Sequence, residues 1–272
     1  MLRQKKPAIS TSTNSEQLRL RIFAGPNGSG KSTVIKYVRK VQVNGRPIDF
    51  GYYINADDIA QQLRTDVFSF HPFHTKVANK NFRAIALDSG LVNNDFNASQ
   101  FKNCYSLRLN KIKLRTKGSE ERLAQIIADF LRKRLLAEKK KFSFETVFSH
   151  RSKLEVMQEA VALGYKVYLY FVSTESPRIN KFRVKARTIQ GGHDVPPGKI
   201  RSRYYRSLNY LYDACQMAYQ VFFFDNSVDG QESVLFAHFK VEKRKKKWDL
   251  VNRKNVPYWF RKYYSNKIPK RK

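Results

Sequence analysis

The chain has 272 residues, is 42% hydrophobic and carries two cysteines, Cys104 and Cys215. That length and hydrophobic share supply a core for one large domain or two small ones and exclude disorder throughout. Two distant cysteines exclude a disulfide framework or a Cys-rich zinc site and fit a reducing compartment. A net charge of +31 exceeds what solubility requires and predicts a potential that attracts polyanions, whether nucleotides, nucleic acid or acidic proteins.

In chain order, residues 1–17 are polar and basic and read as a flexible start with no apolar core of signal-peptide length. No later stretch approaches 18 uninterrupted apolar residues, so a cytoplasmic protein without membrane contact is expected. Leu18 to Ala24 alternates and then turns apolar, as a strand entering a sheet does, and a glycine-rich loop follows at once. Ser32 to Val38 reads as a helix, Gly51 to Ile54 as a second strand, and Asn55 to Ala60 as the capped start of another helix. Strand, loop, helix, strand, helix is the order of an α/β domain with a parallel sheet.

From about 65 to 118 no period is sustained, which predicts an insertion with some helix. Leu123, Ile126, Ile127, Phe130, Leu131 and Leu135 then mark an amphipathic helix leading into a strand at Phe142 to Val147. A helical stripe from Leu154 to Leu163 precedes a buried strand at Lys166 to Val172. A basic helix over Ser176 to Gln190 stops at Gly191 and Gly192, a further helix runs from about Pro197 to Met217, and Gln220 to Phe224 is a strand. Ser233 to Val241 and Lys247 to Val251 are expected to pair as a hairpin, with a short helix at Tyr258 to Tyr264. The expected organisation is a doubly wound, mostly parallel α/β domain over 18–232, with a helical insertion at 65–118 and a lid-like segment at 176–206. A basic extension of hairpin and helix follows over 233–272; from Phe239 to Lys272 it holds fourteen Lys or Arg against two acids. That run is a solvated tail or a contact for nucleic acid or an anionic surface.

Gly25, Pro26, Asn27, Gly28, Ser29, Gly30, Lys31 and Ser32 satisfy G-x-x-x-x-G-K-S, and they lie between a predicted strand and a predicted helix, the context that confirms the pattern. Backbone N–H groups of such a loop turn inward around ATP or GTP phosphates, Lys31 reaches the β and γ phosphates, and the Ser32 hydroxyl ligates Mg²⁺. Asp57 and Asp58 fall just past the end of the second strand, where ligands bind parallel sheets. A carboxylate there can accept a hydroxyl proton as that oxygen attacks the γ-phosphate, or it can simply cap the helix. Glu145, in an otherwise apolar strand, is an acceptor or metal-water contact, or else a surface charge on a one-sided strand. Arg183 and Arg187, four residues apart on one helix face, and then Arg203 and Arg206, either neutralise a transferring phosphoryl group from a mobile lid or form a solvated basic face.

Together these segments resemble the zeta toxin family of P-loop kinases. The matching residues are Ala24 to Thr33, Ile54 to Ala60, Phe142 to Thr146, Arg183 to Arg187, Gly191 to Pro196, Arg203 to Ser207 and Asp225 to Ser227, in order over roughly 18–227 apart from the insertion. The resemblance implies a kinase in which Asp57 is the general base toward a sugar hydroxyl and Lys31 holds the phosphates, with Thr33 closing the nucleotide set. It further implies that Glu145 and Thr146 line the acceptor site and that Arg183 and Arg187 stabilise the transition state, with His193, Arg203 and Arg206 on the substrate. The implied acceptor is a UDP-linked amino sugar, and the implied protein partner is an antitoxin that blocks the nucleotide site. The insertion and the basic C-terminus depart from the family pattern. Two other readings of the loop and the charge are a polynucleotide kinase or nucleic-acid-dependent ATPase, with Trp248, Tyr258, Trp259, Phe260, Tyr263 and Tyr264 as stacking rings, and a non-catalytic nucleotide-binding protein.

Overall fold

Residues 17–191, 194–252 and 256–269 are described by a computed structural model of the chain. The expected flexible start, 1–17, and the candidate His193 thus lie outside the described residues, except for Gln17. Strand β1 (Arg19–Ala24) sends Leu20, Ile22 and Ala24 to one face and Phe23 to the other, and all four are fully buried. Burial on both faces is what a central strand of a parallel sheet requires, and it explains why this run loses its polar alternation. Helix α1 (Lys31–Lys40) follows the loop, a two-residue ribbon of β2 (Gln42–Val43) and β3 (Arg46–Pro47) turns the chain, and β4 (Tyr52–Ile54) leads into α2 (Ala56–Thr65).

The expected helical insertion is a mixture of helix and strand. It contains a small antiparallel sheet of β5 (Val67–Ser69), β6 (Tyr105–Arg108) and β7 (Lys111–Leu114), in the order β5-β7-β6, together with α3 (Asn79–Asp88) and α4 (Ala98–Asn103). Its strands are three or four residues long, too short to sustain a legible period. The insertion is packed rather than appended: Phe70 and Phe82 meet Phe130 at 5.7 and 5.2 Å between ring centroids, joining the main core. Phe130 lies on α5 (Glu120–Ala137), which precedes β8 (Phe142–Thr146), α6 (Ser152–Ala162) and β9 (Lys166–Ser173). Within α5, Arg132 pairs with Asp129 at 3.0 Å, and on α6 burial together with the Arg132 charge lowers the Lys153 amine to a pKa of about 7.

The basic segment forms α7 (Pro177–Ile189), as expected. The single helix expected to 217 is two, α8 (Pro197–Asn209) and α9 (Leu211–Met217), broken at Tyr210. Strand β10 (Gln220–Asp225) then pairs antiparallel with β11 (Val234–Glu242), which pairs with β12 (Lys245–Val251), and α10 (Tyr258–Tyr263) follows, with a 3-10 turn at Ser265–Lys267 after it.

The large sheet has the order β12-β11-β10-β9-β1-β8-β4, parallel from β10 to β4. Helix α1 covers one face through Val34, Ile35 and Val38, while α5, α6 and α9 cover the other. The expected C-terminal hairpin is present, and it extends this sheet from the edge of β10. Of the six rings expected to stack on bases, Trp259, Phe260 and Tyr264 are buried in the main core. Apolar burial decides their place: the Phe260 ring packs 4.9 Å from Phe223, and Trp259 Nε1 donates to Asp225 Oδ1 at 2.8 Å. No helix among the described residues is long and apolar enough to cross a membrane.

Candidate active site

All five parallel strands end on one edge, and each contributes its following residues to the same region: the loop after β1, Asn55 to Asp58 after β4, Glu145 and Thr146 at the end of β8, Thr174 to Asn180 after β9 and Asn226 after β10. Ligands bind at this edge in open α/β sheets because loops and helix N-termini converge there. The phosphate loop is held tightly. Gly25 has φ 150° and a Cβ on it would lie 2.1 Å from the Val172 carbonyl oxygen, so the loop leaves the sheet along a path open only to glycine. Asn226 Nδ2 donates to the Ser29 carbonyl at 2.9 Å, and Asn180 Nδ2 donates to the Asn27 carbonyl at 2.5 Å. Asn180 is itself fully buried and accepts a hydrogen bond from Thr174 Oγ1. These two amides engage the Asn27 and Ser29 carbonyls and so fix the path of the loop. Among the described residues, Ser29 Oγ is buried beside Gly25 with no hydrogen-bond partner, an orphaned donor that suits an anion.

Lys31 opens α1 and is buried. Its amine donates to the Pro26 carbonyl at 3.1 Å and stands 3.8 Å from Glu145 Oε1. Burial lowers the Lys31 amine below its ordinary pKa, against the attraction of Glu145 and Asp57, while Arg187 lowers it further. Glu145 is raised by burial, an effect opposed by Lys31 and reinforced by Asp57. The two charges thus offset one another in a site that favours neither alone. Tyr53 on β4 donates its hydroxyl to Glu145 Oε2 at 3.4 Å. The Thr146 carbonyl accepts from Gly25 N at 3.3 Å and its hydroxyl from Phe148 N at 3.1 Å, so Thr146 ties β8 to the loop.

Asn55, not either aspartate, is the N-cap of α2: its side chain accepts from Asp57 N at 3.0 Å. Asp57 is exposed, and its charge acts on Lys31, Glu145 and Arg203 together. Asp58 is raised, by burial first and then by the charge of Asp57. The two candidate arginines of α7 divide. Arg183 is engaged by the loop after β10, donating to the Asn226 and Val228 carbonyls at 2.7 and 3.1 Å and to Asp229 Oδ1 at 3.2 Å. Arg187, one turn on, is the one whose charge reaches Lys31. On α8, burial and then Arg206 hold the Arg203 guanidinium below its ordinary value, against the pull of Asp57.

No protein-family model matches the chain, and no curated protein matches it in sequence. Among solved structures it is similar to a chain of the AvrRxo1-ORF1:AvrRxo1-ORF2 complex with sulphate ions, at 14% identity and a TM-score of 0.52, covering 94% of this chain and 66% of that one. The native AvrRxo1 complex gives 14% identity, a TM-score of 0.50, and coverage of 86% and 61%. The chain shares the fold of these structures, a mostly parallel α/β sheet flanked by helices. A chain of the PezAT chromosomal toxin-antitoxin system of Streptococcus pneumoniae aligns at 12% identity and a TM-score of 0.44, over 81% of this chain and 70% of that one. The chain spans slightly under two thirds of the length of the AvrRxo1 chains it matches.

Three positions that brace the candidate site have little mark in the sequence. Tyr53 gave no signal beyond a strand-end aromatic. Asn180 shares the buried face of α7 with Val184, and a polar residue in that stripe was its only mark. Asn226 lay within a matching segment, but its partner, Ser29, is 197 residues away.

Proposed function

We propose that the chain is a kinase that transfers the γ-phosphoryl group of ATP or GTP to a hydroxyl of a small acceptor, with a UDP-activated amino sugar as the acceptor class. The observation that carries this reading is the convergence of Lys31, Asp57 and Glu145 in one electrostatic cluster at the sheet edge, with Arg187 and Arg203 charged toward it. The loop amides and Lys31 hold the triphosphate. On phosphate arrival Lys31 exchanges the Pro26 carbonyl for phosphate oxygens, a charge-assisted partner of greater strength. Asp57, exposed at the cleft, takes the proton of the acceptor hydroxyl as its oxygen attacks. Glu145, held by Tyr53, orients the acceptor beside Thr146. Arg187, with Arg203 and Arg206 opposite, balances charge on the transferring oxygens. Arg183 then acts indirectly, by positioning α7 against the loop after β10.

Among the described residues no trio of His, Cys, Asp or Glu forms a metal cage. That fits Mg²⁺ in a nucleotide site, where the protein supplies one or two ligands and phosphates and waters the rest. The Ser32 hydroxyl, exposed on the first turn of α1, would hold it, and the ion would neutralise phosphate charge.

The AvrRxo1 structures hold two chains, and a protein partner that closes this cleft is part of the same reading. The test is transfer of label from γ-labelled ATP and GTP to a panel of UDP-sugars, with Asp57→Asn as control. Label on a UDP-sugar in the parent and not in the variant supports the assignment; no transfer to any acceptor overturns it.

A further inference from the structure

The insertion contains a second concentration of positive charge, remote in sequence from the phosphate loop. Between α3 and the turn from α4 into β6 lies a pocket of about 270 Å³, lined by Arg83, Lys102, Arg108 and Arg115 with Asn79 and Tyr105, and by no acid. Among the described residues none of these four cations lies within ion-pair distance of a carboxylate. The nearby acids are turned elsewhere: Asp88 pairs with Lys133 at 3.7 Å and Asp95 with Arg122 at 3.8 Å. Four like charges gathered without a counter-charge repel one another, and an anion removes that cost.

The pocket is built rather than incidental. Tyr105 is buried, and its hydroxyl donates to Asn79 Oδ1 at 3.1 Å, which fixes the floor. The Arg83 guanidinium lies beside that hydroxyl, and Arg83 Nε is buried with no hydrogen-bond partner. Arg115 is positioned from the backbone, its N–H bonded to the Cys104 carbonyl at 2.7 Å. A buried guanidinium donor without an acceptor is a strong demand for an oxygen, and planar guanidinium forks match phosphate oxygens in pairs.

We propose that this pocket is a phosphate-binding site, distinct from the phosphate loop, that takes a phosphate monoester or diester. Its only apolar lining residue is Leu107, and its one ring, Tyr105, is buried, so nothing offers a base a stacking surface. Recognition therefore rests on the phosphate group. The volume, just under the usual range for small-molecule sites, suits one or two phosphates more than a whole nucleotide. The bearer is a phosphorylated small molecule or the backbone of a nucleic acid.

Calorimetric titration of the full chain with pyrophosphate tests this. In a Lys31→Ala chain, where the phosphate loop is weakened, binding at one site persists. Adding Lys102→Gln and Arg115→Gln lowers that affinity at least tenfold; both side chains are exposed, and an unchanged thermal midpoint checks the fold. Arg83→Gln has the same effect from inside the pocket. Loss of all pyrophosphate binding on Lys31→Ala, or affinity unaltered by the exposed pair, overturns the proposal. Displacement of pyrophosphate by a hydroxyl-ended oligothymidylate identifies the bearer as a nucleic-acid backbone, and displacement by phosphomonoesters alone identifies a small molecule; each supports the site.

Discussion

The side-chain amide of Asn226 occupies the place where a Cβ on residue 30 would stand, 2.1 Å from it, and Gly30 adopts φ 94°. Two requirements meet at Gly30, a left-handed backbone and an empty side-chain position, and both serve the bond from Asn226 to Ser29. Gly30→Ala is expected to displace Asn226, reduce ATP-analogue affinity at least tenfold and cost about 1–3 kcal/mol in urea unfolding. Unchanged affinity would show that the brace does not shape the loop.

Capping and catalysis are separable at the start of α2. Asn55→Ala removes the cap and is expected to cost about 1 kcal/mol of stability while transfer continues. Asp57→Asn keeps the capped N–H and is expected to lower kcat about 10²–10⁴-fold with nucleotide affinity retained. Thermal melts and initial rates on the two variants read the difference, and the reverse pattern would assign the base elsewhere.

The arginines of α7 should also part company. Arg183→Gln loses three contacts to the loop after β10, so its principal effect is a lower thermal midpoint. Arg187→Gln is expected to lower kcat proportionately more than the midpoint, because its charge reaches Lys31. Equal effects of both variants on rate and on stability would remove the distinction.

Lys153 gives the fold a pH dependence. Its folded pKa of about 7 lies below the ordinary lysine value, so between the two the unfolded chain holds a proton that the folded chain has released, and stability rises with pH through that window. Below about 7 both states are charged and the burial cost is complete. Lys153→Met should therefore raise the thermal midpoint substantially at pH 6 and much less at pH 9. An equal gain at both pH values would mean that the amine titrates normally.

Trp259 joins the C-terminal helix to β10. Trp259→Phe retains the ring but loses the bond to Asp225, and it is expected to cost about 2 kcal/mol. Trp259→Ala adds a cavity and is expected to cost about 3–5 kcal/mol. Urea denaturation measures both, and wild-type stability in either would place the helix outside the cooperative core.

The phosphate loop and the second strand's acids were legible because their chemistry is local: glycines, lysine and serine within eight residues, and carboxylates just past a short strand. Glu145 was legible as a charge among apolar neighbours. The lid assignment to Arg183 was not settled locally, since the groups it meets lie 43–46 residues further along the chain. The insertion's sheet stayed hidden because Lys111 and Lys113 flank Ile112 in a strand only four residues long, a pattern that polar loops share. Rings within a basic run read equally well as a stacking surface and as core; only the pairing of β11 with β10 places Trp259 and Phe260 inside.

The contact between Trp259 and Asp225 spans 34 residues, and the side chain that clasps the last parallel strand is translated after every segment that gathers at the sheet edge. A growing chain therefore carries the complete phosphate loop, its acids and its arginines before this clasp can close.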